Sequence, residues 1–431
     1  MIAMQLNRKT TQASSGFLPR RRPILLVSVV ATATLMGTMT AQASVTPTAG
    51  VKAAGDVAGV APSAMKDKLR RLVRMPGGPT GAVVVVHRPG GRTVYRAGVR
   101  SLRSQQPVRA TDHMRLASTA KAFSAAVALS LVEQGKLSLD DTIASRLPWL
   151  PARWGNVTLG QALHHTSGLP DFFTSQRYVD YLSRNLHAKP SPRFLLRLMS
   201  DKPLEFTPGS QYRYSNTDNF VVALMAQTVT GTPYERLLTG RVYRPLGLRS
   251  TSLPRGPKMP APYLHGYQPD PPGPLEDVST LVSASFAWAS GGLVSTPVDL
   301  NRFIRGYASA RLFDRDVQGQ QLQFIPGKSE PVGPGVNSAG LGIFRYRTRC
   351  GTMYGHTGNT AGYTQFMAST LNGRRSVTVS ISGQITDKST GDQGRAFTRL
   401  RHIETQAVCQ ALATKRDHRL ITSIKEAGMD R

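Results

Sequence analysis

The sequence predicts an α/β fold in which an antiparallel sheet flanked by helices is interrupted by an inserted, mostly helical domain. Strand signals fall in two groups, one before residue 100 and one after residue 290. The stretch between them is broken by Pro and Gly and carries helical periodicity, and a helix borders each strand group. Antiparallel pairs separated by a long helical excursion call for one sheet layered with helices.

The elements follow in order. Met65 to Val73 alternates apolar and basic residues at helical spacing and is ended by Pro76-Gly77-Gly78-Pro79. Ala82 to His87 is an apolar β-branched run, Pro89-Gly90-Gly91 turns the chain, and Thr93 to Val99 returns as the second strand of a hairpin. From Ser118 a helix runs to Glu133, with Phe123, Val127 and Leu131 four residues apart and Gly135 as its stop. A further helix is expected at Asn219 to Val229. Strands are then expected at Leu293 to Ser295, Ala339 to Ile343, Thr364 to Ser369 and Ser376 to Ser382, the last two around Asn372-Gly373, before a closing helix from about Arg395 to Leu412. The domain plan is therefore an α/β unit from residues 63–134 and 286–413 with a mostly helical insertion at 135–285.

Composition narrows the function classes. With 40% hydrophobic residues in 431, the chain can bury a large core, and 40 Gly with 29 Pro mean many turns. There are 54 Lys and Arg against 25 Asp and Glu, a formal charge of +29. No helix-turn-helix, zinc-finger spacing or aromatic-and-basic platform accompanies that charge, so nucleic acid is not the expected partner. Export is: Arg20-Arg21-Arg22 precede an apolar run from Ile24, and Ala41-Gln42-Ala43 supplies a cleavage signal. Residues 1–43 are then expected to be a cleaved signal peptide rather than the alternative, a membrane anchor, because Thr32, Thr34, Gly37, Thr38 and Thr40 dilute the run; 44–62 reads as an Ala/Gly/Val/Thr linker and 414–431 as a polar tail, and Sec and twin-arginine routes both remain open. Outside the membrane, anionic cell-wall polymers are one expected electrostatic partner, and a solvated surface kept soluble by its net charge is an equal reading. The two cysteines, Cys350 and Cys409, are compatible with one disulfide in an oxidising compartment, and they form no metal-binding cluster.

Three short motifs carry chemistry. Ser118-Thr119-Ala120-Lys121 sets a hydroxyl and an amine on one helical face, where the amine can activate the hydroxyl. The same spacing recurs at Ser63-Ala64-Met65-Lys66, which reads as a helix-capping serine. Ser118 is preferred because it opens a strongly apolar helix able to bury its lysine and lower its pKa. Tyr214-Ser215-Asn216 offers a phenol to relay a proton and an amide to hold a substrate amide. His356-Thr357-Gly358, at an expected strand start, offers two polar side chains for a carboxylate and a glycine that permits close backbone approach.

Together these motifs resemble the serine β-lactamase and penicillin-binding peptidase superfamily, whose Ser-x-x-Lys, Tyr-x-Asn and Lys/His-Thr-Gly elements occur in this order. The likeness extends to Leu163–Pro170, to Val229-Thr230-Gly231 with Pro245-Leu246-Gly247, and to Ala289–Thr296, so it spans nearly the whole mature chain. Tyr354-Gly355-His356-Thr357-Gly358 and Arg375-Ser376-Val377-Thr378, with the cysteine pair, are most similar to the secreted D-alanyl-D-alanine carboxypeptidases of Streptomyces.

The resemblance implies a β-lactamase/transpeptidase-like fold, a Cys350–Cys409 disulfide, and acyl transfer without a metal or cofactor. Ser118 would attack the penultimate D-alanine carbonyl while Lys121 and Tyr214 manage protons. The oxyanion would lie between the backbone N–H groups of Ser118 and Asn359. Asn216 would contact the substrate amide, and His356 and Thr357 would face its terminal carboxylate, aided by any charge on the imidazole. Peptidoglycan stem peptides and β-lactams are the implied partners of a secreted or wall-associated, penicillin-sensitive, monomeric D-alanyl-D-alanine carboxypeptidase with possible transpeptidase action.

Two departures accompany the likeness. The spacing from Gly340-Leu341-Gly342 puts Phe344 where those enzymes hold the carboxylate with an arginine, Arg345 coming one place later. Phe286, with Trp288 nearby, stands for their site tryptophan. The alternatives are a class C-like β-lactamase, a β-lactamase-like esterase, a D-amino-acid amidase, and a non-catalytic wall-binding or penicillin-sensing protein. His356 in place of lysine argues against the first, and an intact Ser118, Lys121 and Tyr214 argue against the last.

Overall fold

The computed structural model describes residues 62–269 and 274–413. The expected leader at 1–43, the expected linker at 44–62 apart from its last residue, and the expected tail at 414–431 lie outside the described residues.

Eight strands form one antiparallel sheet: β1 (Gly81–Arg88), β2 (Gly91–Gly98), β3 (Ile325–Pro326), β4 (Val336–Gly340), β5 (Ile343–Thr348), β6 (Gly351–Thr360), β7 (Tyr363–Ser369) and β8 (Ser376–Ile381). Their order is β2-β1-β8-β7-β6-β5-β4-β3, so the N-terminal hairpin is zipped onto the C-terminal meander through Val84 opposite Val379. The apolar run of β1 is continuous because both of its faces are covered. Ala82, Val84 and Val86 join the core beneath helices α1 (Pro62–Arg74) and α5 (Gly391–Leu412), while Val83 and Val85 join a smaller cluster on the other side.

Three further helices lie on that other side: α2 (Ala120–Glu133), α3 (Asn216–Thr230) and α4 (Pro297–Ala308). Thr296 caps α4 by accepting from the Asp299 N–H at 3.2 Å, and α4 takes the polar face of β8, with Ser376 donating to Asn301 at 3.0 Å and Thr378 to the Pro297 carbonyl at 3.1 Å. The sequence of α2 is apolar all round, and every residue from Ala120 to Leu131 is buried. Such a helix is stable only when enclosed, and residues 135–285, which add no strand to the main sheet, help enclose it. Ser124 donates to Asn219 at 2.6 Å, pinning α2 to α3.

Three expectations change. The strand expected over Ala339 to Ile343 is instead the turn of the β4–β5 hairpin, where Gly342 adopts φ +62 and a Cβ would lie 2.2 Å from the Ala125 side chain of α2. The strand signal at Leu293 to Ser295 pairs outside the main sheet, Val294–Ser295 running against Met114–Arg115 just before Ser118. His356 sits in the middle of β6 rather than at its start. The described residues contain no helix long and apolar enough to cross a membrane.

Candidate active site

Ser118 lies in a short 3-10 turn, Ala117–Thr119, that feeds straight into α2. The Met114–Arg115 ladder holds the approach from one side, and buried Arg115 donates to the carbonyls of Pro257, Ser279 and Val282 at 3.0 Å each. Ala117 is forced to φ +49, a left-handed conformation unfavourable for alanine that presents Ser118 at the helix start. β6 closes the other side. A Cβ on Gly358 would lie 2.8 Å from the backbone nitrogens of Ser118 and Thr119, so only glycine lets strand and helix meet this closely. Pairing with β5 ends at Gly355, so residues 356–360 have one edge free of a strand partner. The Asn359 side chain is held by Gln384, whose amide donates to it at 2.8 Å.

Lys121 is enclosed, and its Nζ donates to Ser118 Oγ at 3.0 Å, Asn216 Oδ1 at 2.7 Å and the Ser290 carbonyl at 2.9 Å. Burial lowers its pKa to about 7, against the opposing pull of Asp171, Glu330 and Asp218. Its ammonium position is 4.9 Å from the centre of the Tyr214 ring. The Tyr214 hydroxyl is buried without a hydrogen bond of good geometry. Burial holds that phenol well above its usual pKa, with the Ser118 hydroxyl acting in the opposite direction. One amine is thus easier to deprotonate than usual and one phenol harder.

Asn216 is the first residue of α3, and its half-buried side chain does not cap the helix. It accepts from Lys121 and donates to Asp171 Oδ2 at 2.8 Å. Burial raises the Asp171 carboxyl to about 6, opposed by the Phe173 N–H, Asn216 and Lys121. Tyr214 is clamped from behind by His165. The His165 carbonyl accepts from Arg213 N–H at 2.8 Å, and its ring lies 4.4 Å from the Tyr214 ring. His165 Nδ1 meets Asp218 Oδ2 at 2.7 Å, and Ser167 donates to Asp218 Oδ1 at 2.5 Å. Asp171, Asp218 and Arg115 were not singled out by motif reading, and His165 entered only as part of the Leu163–Pro170 segment. The first lies immediately after the Leu163–Pro170 segment, the only sequence signal pointing to it.

The His-Thr-Gly segment differs from expectation. His356 is fully buried between Phe344 and Tyr214, with ring centres 5.0 Å and 6.5 Å away. Burial lowers its pKa to about 3, so the imidazole is neutral, and the charge considered for it in carboxylate binding is absent. Its Nδ1 faces the Thr357 carbonyl at 2.5 Å, while Nε2 is buried without a partner. Thr357 Oγ1 donates to the Pro331 carbonyl at 2.6 Å, so its hydroxyl proton is already committed. Arg345 turns to Ser338 Oγ at 3.0 Å and lies over the Phe324 ring, leaving Phe344 against His356. Cys350 and Cys409 are joined as a disulfide that ties the start of the β6 hairpin to α5.

The fold is that of β-lactamase-like α/β proteins, an antiparallel sheet with helices on both faces and a Ser-x-x-Lys helix against its centre. The family model described as beta-lactamase matches residues 66–397, and the chain belongs to that family. Among curated relatives, a putative D-alanyl-D-alanine carboxypeptidase of Salmonella typhi is 27% identical over 257 residues, covering 51% of this chain and 58% of the relative's length. The chain thus spans little more than half of the curated relatives it matches. Among solved structures, a D-stereospecific amidohydrolase from Streptomyces sp. superposes with a TM-score of 0.67 at 25% identity, covering 79% of this chain and 98% of the other. The D-amino acid amidase of Ochrobactrum anthropi SV3 gives 0.71 at 23% identity, covering 83% and 99%.

Proposed function

We propose that this protein is a secreted serine hydrolase that cleaves amide bonds adjoining D-amino-acid residues through an acyl-enzyme on Ser118. The observation that carries this reading is the 3.0 Å contact between Ser118 Oγ and a lysine whose pKa is lowered to about 7. In its neutral form Lys121 takes the Ser118 proton as Oγ attacks the carbonyl, and the oxyanion develops between the backbone N–H groups of Ser118 and Asn359. Tyr214, kept protonated by burial, hands its proton to the leaving nitrogen and recovers one through Lys121. Asn216 retains an amide N–H to orient the acyl part, and water completes the cycle. A leader with an apolar run and a Cys350–Cys409 disulfide support export.

Within that class, the carboxylate-recognising features expected of a D-alanyl-D-alanine carboxypeptidase are weakened by a neutral His356, a committed Thr357 hydroxyl and Phe344 in place of an arginine. The loop whose Pro331 carbonyl binds Thr357 also carries Glu330, whose negative charge acts on Lys121 and Tyr214. Lys388 lies 3.9 Å from Glu330 and offsets part of that charge, so the neutral His356 and Phe344 are what leave a terminal carboxylate without a dedicated cation. This favours D-amino-acid amides or peptides lacking such a carboxylate, in line with the Streptomyces amidohydrolase. The names of the Salmonella relatives favour the carboxypeptidase as second reading.

The test compares ammonia release from D-alaninamide and D-phenylalaninamide with D-alanine release from a D-Ala-D-Ala peptide, alongside intact mass after benzylpenicillin. The expected result is an adduct on Ser118 and a kcat/KM at least about tenfold higher for an amide, or about 1.4 kcal/mol in transition-state binding. A better D-Ala-D-Ala substrate selects the second reading. Rapid penicillin turnover selects a β-lactamase, and neither adduct nor turnover removes acyl transfer altogether.

A further inference from the structure

On the sheet face away from α2, α1 and α5 run beside each other over a shared apolar core that includes Met65, Leu69 and Leu72 from one helix and Ala396, Leu400 and Ile403 from the other. The valley between them holds two adjoining cavities of about 350 and 450 Å³, both bordered by Lys68 and His402. Its basic side chains follow the helical repeat. Lys68 and Arg71 are three apart on α1, and Arg395, Arg399 and His402 lie four and three apart on α5, a stripe of about 10 Å. Arg349, at the β5–β6 turn, extends the line into the second cavity.

Arg395 is paired with Asp392, but among the described residues Lys68, Arg71, Arg349 and Arg399 have no carboxylate partner. They are close enough to repel one another: after burial, the neighbouring Arg71, Arg349 and Arg399 are what hold the Lys68 ammonium below its usual value. An unrelieved row of like charges in a concave valley is a cost that a bound anion removes. No Phe, Tyr or Trp lines either cavity and His402 is the one ring at their shared border, so there is no row of rings on which successive bases could stack.

We infer that the valley between α1 and α5 is a binding site for a linear polyanion of phosphates on a base-free backbone, separate from the Ser118 site. It would hold the enzyme on an anionic matrix while the opposite side of the sheet does the chemistry. The inference does not depend on which amide Ser118 cleaves.

The test uses the full chain and fluorescent long-chain inorganic polyphosphate, titrated over a range of salt concentrations. The variant K68A/R71A/R399A removes three valley cations, and R184A/R197A/R249A removes three exposed arginines elsewhere. The valley variant is expected to bind at least about tenfold more weakly and to lose about three from the slope of log affinity against log salt, with hydrolysis of a small amide within twofold of wild type. The control variant is expected to change affinity by less than threefold. Equal losses in the two variants would overturn the site in favour of attraction by overall net charge. Tighter binding of an oligothymidylate of equal charge would overturn the base-free assignment.

Discussion

Ser63-Ala64-Met65-Lys66 and Ser118-Thr119-Ala120-Lys121 have the same spacing and both lie at the start of helices, yet only the second is enclosed with its amine against its hydroxyl. In α1 the buried residues are Met65, Leu69 and Leu72, while Ser63 and Lys66 face solvent. Ser63 is moreover the second residue of its helix rather than the cap expected from the sequence. In α2 everything from Ala120 to Leu131 is enclosed, and Lys121 meets three fixed acceptors. Any helix supplies the i, i+3 geometry; enclosure by α3, the Ser290 segment and β6 supplies the chemistry.

Removing the nucleophile should give the largest effect. Ser118→Ala is expected to abolish the penicillin adduct and lower kcat/KM by at least about 10⁴-fold, with an unchanged melting profile. Adduct formation on the variant would move the nucleophile elsewhere, Ser63 included. Lys121→Ala follows, with a loss of about 10² to 10⁴-fold. In wild type, kcat/KM should rise with pH and level off above about 7, because the active lysine is the deprotonated one. A profile that falls with pH over that range would require a protonated Lys121 and reverse the assignment of base and acid.

Much of this was readable in advance. The N-terminal hairpin, the apolar α2 and the closing helix follow from periodicity and turn residues, and motif order located Ser118, Lys121, Tyr214 and Asn216, which the structure brings together. What escaped depends on contacts between distant segments. Asp171 and Asp218 are residue types usually found at caps and turns, and nothing local reveals that both are drawn in behind Lys121 and Tyr214, Asp218 fully buried and Asp171 half-buried. The loss of charge on His356 is set by Phe344 and Tyr214 from two other elements. The break at Gly342 reflects the approach of α2, which strand periodicity does not encode.

A finer test of enclosure is the relay from Asp171 through Asn216 to Lys121. Asp171 raises the Lys121 pKa, so Asp171→Asn should move the acidic limb of the kcat/KM profile to lower pH, by less than about one unit, while the plateau falls several-fold as Asn216 loses its ionic anchor. The limb belongs to the pair, since the aspartate itself titrates near 6 and the lysine near 7. A plateau loss without a shift would reduce Asp171 to holding Asn216 in place.

The smallest effect belongs to the other copy. Ser63→Ala with Lys66→Ala leaves the buried face of α1 untouched, because Met65, Leu69 and Leu72 carry its packing against the sheet and α5. Both exchanges put a good helix former at an exposed position, so stability should stay within about 0.5 kcal/mol and kcat/KM within twofold. Thermal melting and amide hydrolysis measure the two together. A tenfold loss of activity at constant stability would mean that α1 communicates with Ser118 through the sheet, and spacing rather than enclosure would again need explaining.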